Sequence, residues 1–169
     1  MRYNKIRKMD ISNGPGVRVS IFMQGCTFNC KNCFNPETHD FNGGQELTDK
    51  VIDHILELAQ KEYIEGLSIL GGEPLHPKNI DASTKLAKKF KETYPEKTIW
   101  VWTGFNYENN LKDKEILKYI DYLVDGQFIE EQKNPKLKYA GSSNQRVIDI
   151  KKTLKKGQVV EISNNWTHH

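Results

Sequence analysis

All three cysteines of this 169-residue chain fall in one twelve-residue stretch, "QGCTFNCKNCFN" (24–35), as Cys26, Cys30 and Cys33. Three thiols leave one over in any disulfide pairing. The spacing Cys-x3-Cys-x2-Cys lets a single loop wrap a compact inorganic cluster, with each thiolate reaching a different metal ion. A [4Fe–4S] cluster is normally held by four cysteines. Three leave one iron with an open position, the property that separates a reactive metal centre from a structural one. Two rival sites use the same residues. One is a zinc site with His39 as fourth ligand, although zinc ligands more commonly come as two separated pairs. The other is an electron-transfer ferredoxin, whose cluster would be fully ligated. Further short stretches mix turn residues with polar groups: "NGPG" (13–16), "GGEP" (71–74), "WTG" (102–104), "DGQF" (125–128) and "GSSNQR" (141–146).

These stretches sit in a chain of modest charge and ordinary composition. A hydrophobic content of 37% over 169 residues fits one globular domain, 1–169, with residues from about 150 onward also readable as an extension. The amino-terminal "MRYNKIRKMDISNGPG" is basic but has no apolar run of signal-peptide length, and no segment is long enough to span a bilayer. A cytoplasmic protein is expected, with no membrane association. That compartment keeps thiols reduced, which favours metal or catalysis over disulfides. The net charge is +3, and the clustered lysines read as solvated faces rather than a nucleic-acid footprint, so no nucleic-acid partner is expected. His168 and His169 are not counted as metal ligands, since "THH" resembles a tag remnant as much as native sequence.

The elements that must position these stretches alternate in type. "VRVSIFM" (17–23) is β-branched and aromatic and reads as a strand. Apolar residues at three- and four-residue spacing behind Thr48 predict a helix over 48–61. "GLSIL" (66–70) is a strand, 79–93 a helix ended by Pro95, 98–104 a strand, 112–119 a short helix and 121–126 a strand. "RVIDI" and "VVEI" read as further strands, and "KKTLKKG" between them as a turn or hairpin loop. Strands alternating with helices predict parallel pairing with right-handed crossovers and cover on both faces. Four clear strands are too few for a closed barrel. The expected fold is therefore α/β, an open, curved, mostly parallel sheet resembling part of a (β/α) barrel. In such sheets ligands bind beyond the carboxyl ends of the strands. The cysteine loop, "GGEP", "WTG" and "DGQF" all fall there.

Cys26-x3-Cys30-x2-Cys33 resembles the motif of the radical S-adenosylmethionine (SAM) enzymes, and "GGEP", 38 positions on (71 − 33), resembles their second motif. More closely, "NGPGVR", "GGEPLHP", "WVWTG", "LVDGQF" and "GSSNQR" resemble the activating proteins of anaerobic (class III) ribonucleoside-triphosphate reductases, from Ile11 to about Arg146. The resemblance implies a partial barrel of the radical SAM type. It implies a [4Fe–4S] cluster on Cys26, Cys30 and Cys33, with SAM chelated at the open iron. One-electron reduction would then split SAM into methionine and a 5′-deoxyadenosyl radical. That radical would take hydrogen from a glycine of the large reductase subunit, with an electron donor such as a flavodoxin upstream.

On the same resemblance, Gly71 and Gly72 would let backbone approach the methionine part of SAM, so that a bulky residue at 72 would weaken SAM binding and spare the cluster. Glu73 would offer an acceptor to the SAM ammonium. The position before the last cysteine, often aromatic in these enzymes, is Asn32. Its backbone through Phe34 would meet adenine, or Phe34 would cover the cluster. Thr103 and Asp125 would reach ribose hydroxyls or the SAM carboxylate region, or else serve as a strand cap and a local turn. Arg18 reads as a surface strand residue or a partner contact, and Trp100 and Trp102 share a face as packing residues. The expected docking surface is the loop at 36–44 together with 141–146, the latter also readable as a plain polar loop. Two alternatives stand beside this reading: a small radical SAM enzyme acting on a nucleotide or pterin, such as a deazaguanine synthase, and a non-catalytic zinc-binding module.

Overall fold

The computed structural model describes residues 1–28 and 33–163. Cys30 and Asn32, together with His168 and His169, therefore lie outside the described residues. Among the described residues eight strands form one sheet: β1 (Arg2–Asp10), β2 (Val17–Met23), β3 (Gln45–Glu46), β4 (Ile64–Gly71), β5 (Thr98–Trp102), β6 (Tyr122–Asp125), β7 (Arg146–Asp149) and β8 (Glu161–Ile162). Their order is β3-β1-β2-β4-β5-β6-β7-β8. The centre, β2-β4-β5-β6, is parallel, and every pairing outside it is antiparallel. The sheet is thus α/β and open, as expected, but mixed rather than mostly parallel. No helix among the described residues is long and apolar enough to cross a membrane.

Among the described residues three α-helices accompany the sheet: α1 (Asp49–Leu58), α2 (Ile80–Thr93) and α3 (Ile150–Lys156). Thr48 caps α1 by accepting from the Val51 amide at 3.3 Å, as its sequence suggests. Residues 150–156 are helical, where a turn or hairpin loop was expected over 151–157 and a strand through 150. Asp149 accepts from the Lys152 amide at one end, and Gly157, at φ +74°, closes the other in the left-handed region. The helix expected over 112–119 is a single 3-10 turn, Glu115–Lys118, preceded by a π-helical turn at Tyr107–Leu111.

The alternation of strand side chains divides the interior in two. Val19, Ile21 and Met23 of β2, Leu67 and Ile69 of β4, Ile99 and Val101 of β5 and Leu123 of β6 meet Ile52 and Ile55 of α1 and Leu86 and Phe90 of α2 in the main core. The opposite face carries a smaller cluster of Trp100, Val124, Tyr139 and Val147, to which no helix contributes. Among the described residues, helices therefore cover one face, not both. A long connection between β6 and β7 supplies Tyr139 and Ala140 to the other.

Two features depart from the sequence reading, which assigned no element to the amino-terminal segment and placed Arg18 at the surface or at a partner contact. The basic amino-terminal segment is strand β1, paired antiparallel to β2. Arg18 is not a surface residue but is fully buried. Its guanidinium donates to Ser68 Oγ (2.8 Å), Thr98 Oγ1 (3.0 Å) and the carbonyls of Pro15 (3.3 Å), Leu67 (3.1 Å) and Thr98 (2.8 Å). Burial pulls its pKa down to about 10. Five acceptors replace the water it has lost.

Candidate functional site

The segments that follow β2, β4, β5 and β6 converge on one cavity of about 540 Å³. Cys26, Cys33 and Phe34 line it from the first, Gly71, Gly72 and Glu73 from the second, Trp102, Thr103 and Gly104 from the third, and Gly126, Gln127 and Phe128 from the fourth. This is the convergence that parallel strands impose, since their carboxyl ends all open on one edge. The cavity then extends along the helix-free face, past Phe22 and Arg7 to Ser12 and Asn13.

Cys26 and Cys33 are half-buried and share the cavity wall. Backbone pairing turns the loop back on itself: the Gly25 amide donates to the Thr38 carbonyl (2.5 Å) and the Cys26 amide to the His39 carbonyl (3.1 Å). The "GGEP" turn docks on the start of this loop through Gly72 N to Met23 O (2.9 Å) and Glu73 N to Gly25 O (2.7 Å). Asn79, buried at the start of α2, donates its side-chain amide to the carbonyls of Gln24 (3.1 Å) and Glu73 (3.0 Å). It joins the two loops, yet its sequence signal is only a polar residue ahead of a helix.

Gly71 and Gly72 line the cavity, but their missing side chains make room for the chain itself. A Cβ on Gly72 would stand 2.6 Å from Gly25 O and 2.7 Å from Thr38 O. Gly71 has φ +112°, and its Cβ would meet Met23 backbone at 2.6 Å. The expectation that residue 72 affects only SAM is therefore replaced: it also sets the position of the loop that carries Cys26.

Glu73 is buried, and its carboxylate is occupied by the protein. Oε2 accepts from the Leu75 amide and from Thr103 Oγ1, both at 2.8 Å, and Oε1 accepts from the Gly104 amide at 2.6 Å. Burial raises its pKa to about 7 against the downward pull of these hydrogen bonds. Thr103 also accepts from the Phe105 amide at 3.1 Å, so Glu73 and Thr103 lock the second loop to the third.

Asp125 is not on the cavity wall. Its carboxylate accepts from Arg146 Nε (3.0 Å) and Nη2 (2.6 Å) and from the Tyr107 amide (3.0 Å). Arg146 also forks onto Glu108 at 2.9 and 2.7 Å. The segment 141–146 is consequently a brace: Gln145 Nε2 donates to the Gly126 carbonyl (2.9 Å) and Ser142 Oγ accepts from the Ile129 amide (3.1 Å). Ser142 is buried, which removes it from the expected docking surface. Phe34 is 59% exposed, with its ring 4.8 Å from that of Phe128. Trp102 lines the cavity and donates its Nε1–H to the Tyr139 carbonyl at 2.6 Å, whereas Trp100 is wholly buried beneath it. His39 does not join the two cysteines on the wall, and among the described residues no three His, Cys, Asp or Glu groups form a metal set.

This donor set suits an iron–sulfur cluster better than zinc. Two thiols, those of Cys26 and Cys33, line one cavity, and Cys30 stands between them in the sequence. The volume lies in the range of cofactor pockets.

Comparison with known proteins agrees. The family described as "4Fe-4S single cluster domain" matches residues 12–148. An anaerobic ribonucleoside-triphosphate reductase-activating protein of Vibrio cholerae is 41% identical over 150 residues, covering 86% of this chain and 96% of its own length. Proteins of the same name from phage T4 and Escherichia coli K12 are each 39% identical, covering 87% of this chain and 93% and 97% of their own lengths. With two cysteines of its loop on the wall of a cavity where four strand ends meet, the chain belongs to the family of anaerobic ribonucleoside-triphosphate reductase-activating proteins.

Proposed function

We propose that this protein is the activase of an anaerobic ribonucleoside-triphosphate reductase, and that its open sheet is the partial barrel of a single radical SAM domain. The observation that carries the reading is the meeting of Cys26, Cys33 and the Gly71–Glu73 turn on one cavity wall, in a chain of this family. Cys26, Cys30 and Cys33 would hold a [4Fe–4S] cluster as thiolates. When bound, the cluster and SAM would supply one-electron reductive cleavage and, from it, hydrogen-atom abstraction from a glycine of the large reductase subunit.

The chain's own residues do the positioning. Backbone of the Gly71–Glu73 turn borders SAM, and Glu73 and Thr103 keep that turn in register with Gly104 rather than binding the ligand through their side chains. Asn32 and Phe34 flank the last cysteine and border the adenine side. Asp125 acts at one remove, by holding Arg146 and with it the turn at Gly126–Phe128. Trp102 and Phe128 present apolar walls, which exclude water from a reactive radical. The electron comes from a separate carrier such as a flavodoxin, and the protein works in the cytoplasm. A reductase glycine must come within about 3–3.5 Å of the reacting carbon, and the opening along the helix-free face admits a segment of a second protein.

The test is anaerobic reconstitution with iron and sulfide, then reduction with SAM and the large reductase subunit. The expected result is 5′-deoxyadenosine together with a glycyl-radical doublet in the electron paramagnetic resonance spectrum of the partner. Conversion of a free nucleotide or pterin with no doublet would replace the activase reading with a small-molecule one. Stoichiometric zinc with little iron would remove both.

A further inference from the structure

Among the described residues, the charged side chains at the cavity mouth are of one sign. Three cations line it: Arg7 from β1, and Lys133 and Lys138 from the connection between β6 and β7. All three are exposed. Arg7 stands 3.9 Å from Asp10 and over the Phe22 ring. Lys133 stands over the exposed Phe34 ring at 5.7 Å. No ion pair among the described residues involves Lys133 or Lys138. Among the described residues the one carboxylate on the cavity wall is Glu73, and it is buried and held by three donors, so it does not offset them. A mouth that combines unpaired cations with an exposed aromatic ring is complementary to an extended polypeptide bearing carboxylates beside apolar side chains.

We propose that Lys133 and Lys138, together with Arg7, form the docking rim for an acidic segment of the glycyl-radical partner, and that this rim steers the partner to the cavity. The inference rests on the activase reading and names the chemistry of the partner surface. Rim charges act chiefly on association and are screened by salt, because the Debye length falls from about 10 Å at 0.1 M to about 3 Å at 1 M.

The experiment compares the reconstituted wild type with the double variant Lys133→Gln/Lys138→Gln. The control is Lys155→Gln/Lys156→Gln, which makes the same charge change on exposed positions of α3, away from the cavity. Iron content confirms that each protein is loaded. Two readouts follow, at low and high salt: 5′-deoxyadenosine formed without the reductase, and the reductase concentration that gives half-maximal glycyl radical. Two exposed charges at roughly 0.2–1 kcal/mol each correspond to a rise in that concentration of about 2- to 30-fold at low salt. The rise should shrink towards unity at high salt, with partner-free SAM cleavage and the α3 control unchanged. Equal half-maximal concentrations in all three proteins, in a system where wild type does form the radical, would overturn the docking rim and leave the activase reading standing. A parallel loss of partner-free cleavage would also overturn it, by assigning the lysines to SAM. No radical with the wild type and a competent reductase would defeat the activase reading itself.

Discussion

Replacing Gly72 with alanine should damage the cysteine loop before it damages anything else. An added methyl would stand 2.6 Å from Gly25 O and 2.7 Å from Thr38 O, where ordinary contact begins at 3.4 Å. The overlaps are 0.8 Å (3.4 − 2.6) and 0.7 Å (3.4 − 2.7). Both obstacles are backbone atoms, so no side-chain rotation relieves them, and Gly25 and Thr38 are tied to each other at 2.5 Å. Gly72 does not have a positive φ, so alanine meets the clash with no added backbone strain. Overpacking of this kind costs about 1–3 kcal/mol, here towards the upper end. For a chain of this length each kcal/mol lowers Tm by roughly 2–4 °C, giving an expected fall of about 5–10 °C by thermal unfolding of the apo-protein. Because Gly25 precedes Cys26, iron bound per chain after anaerobic reconstitution should fall as well. Gly157→Ala is the matched control: its Cβ would meet nothing within 4 Å, and only the left-handed φ of +74° is strained. It should cost about 1 kcal/mol and leave iron content unchanged. A Gly72→Ala protein with wild-type Tm and full iron, defective only in SAM cleavage, would refute the steric reasoning and return the glycine to the ligand.

The other predictions concern the polar braces. Glu73 has a folded pKa of about 7, above its unfolded value, so the folded state holds its proton where the unfolded state has lost it. Its contribution is fully present below about pH 4.5 and is lost as pH rises to 7. Apo-protein stability measured by urea unfolding should carry this downward slope, and Glu73→Gln should flatten it; an unchanged slope would mean that burial does not govern this group. Asp125→Asn leaves the Arg146 guanidinium with Glu108 alone and should cost about 2–3 kcal/mol. Its KM for SAM should stay within about twofold of wild type, whereas unchanged stability with a tenfold higher KM would place Asp125 on the ligand. Cys33→Ala removes a thiolate for which the chain has no substitute, and iron should drop well below four per chain. An intact cluster spectrum in that variant would end the cysteine assignment.

The parts of this protein legible in sequence are those written in local pattern. The period of α1 and its Thr48 cap and the strand β2 each depend on residues within one or two turns of one another, and each lies where it was read. The convergence of four loops was legible too, because parallel strands bring their carboxyl ends together whatever the side chains are. What the tertiary structure decided is which partners those loops found. Arg18 looks like a charged strand residue until the fold sets it against Ser68 and Thr98, 50 and 80 residues away. Glu73 looks like a ligand for an ammonium group until Thr103 and Gly104, 30 and 31 residues on, occupy its oxygens. Strand β1 was hidden because an edge-side strand rich in Lys and Arg lacks the apolar alternation that marks a strand, and its pairing with β2 supplies the stability instead. Composition and spacing thus determine which chemistry the chain can hold. Long-range hydrogen bonds, available only once the sheet has closed distances of dozens of residues, decide which polar groups remain open to a ligand and which are spent on holding the site together.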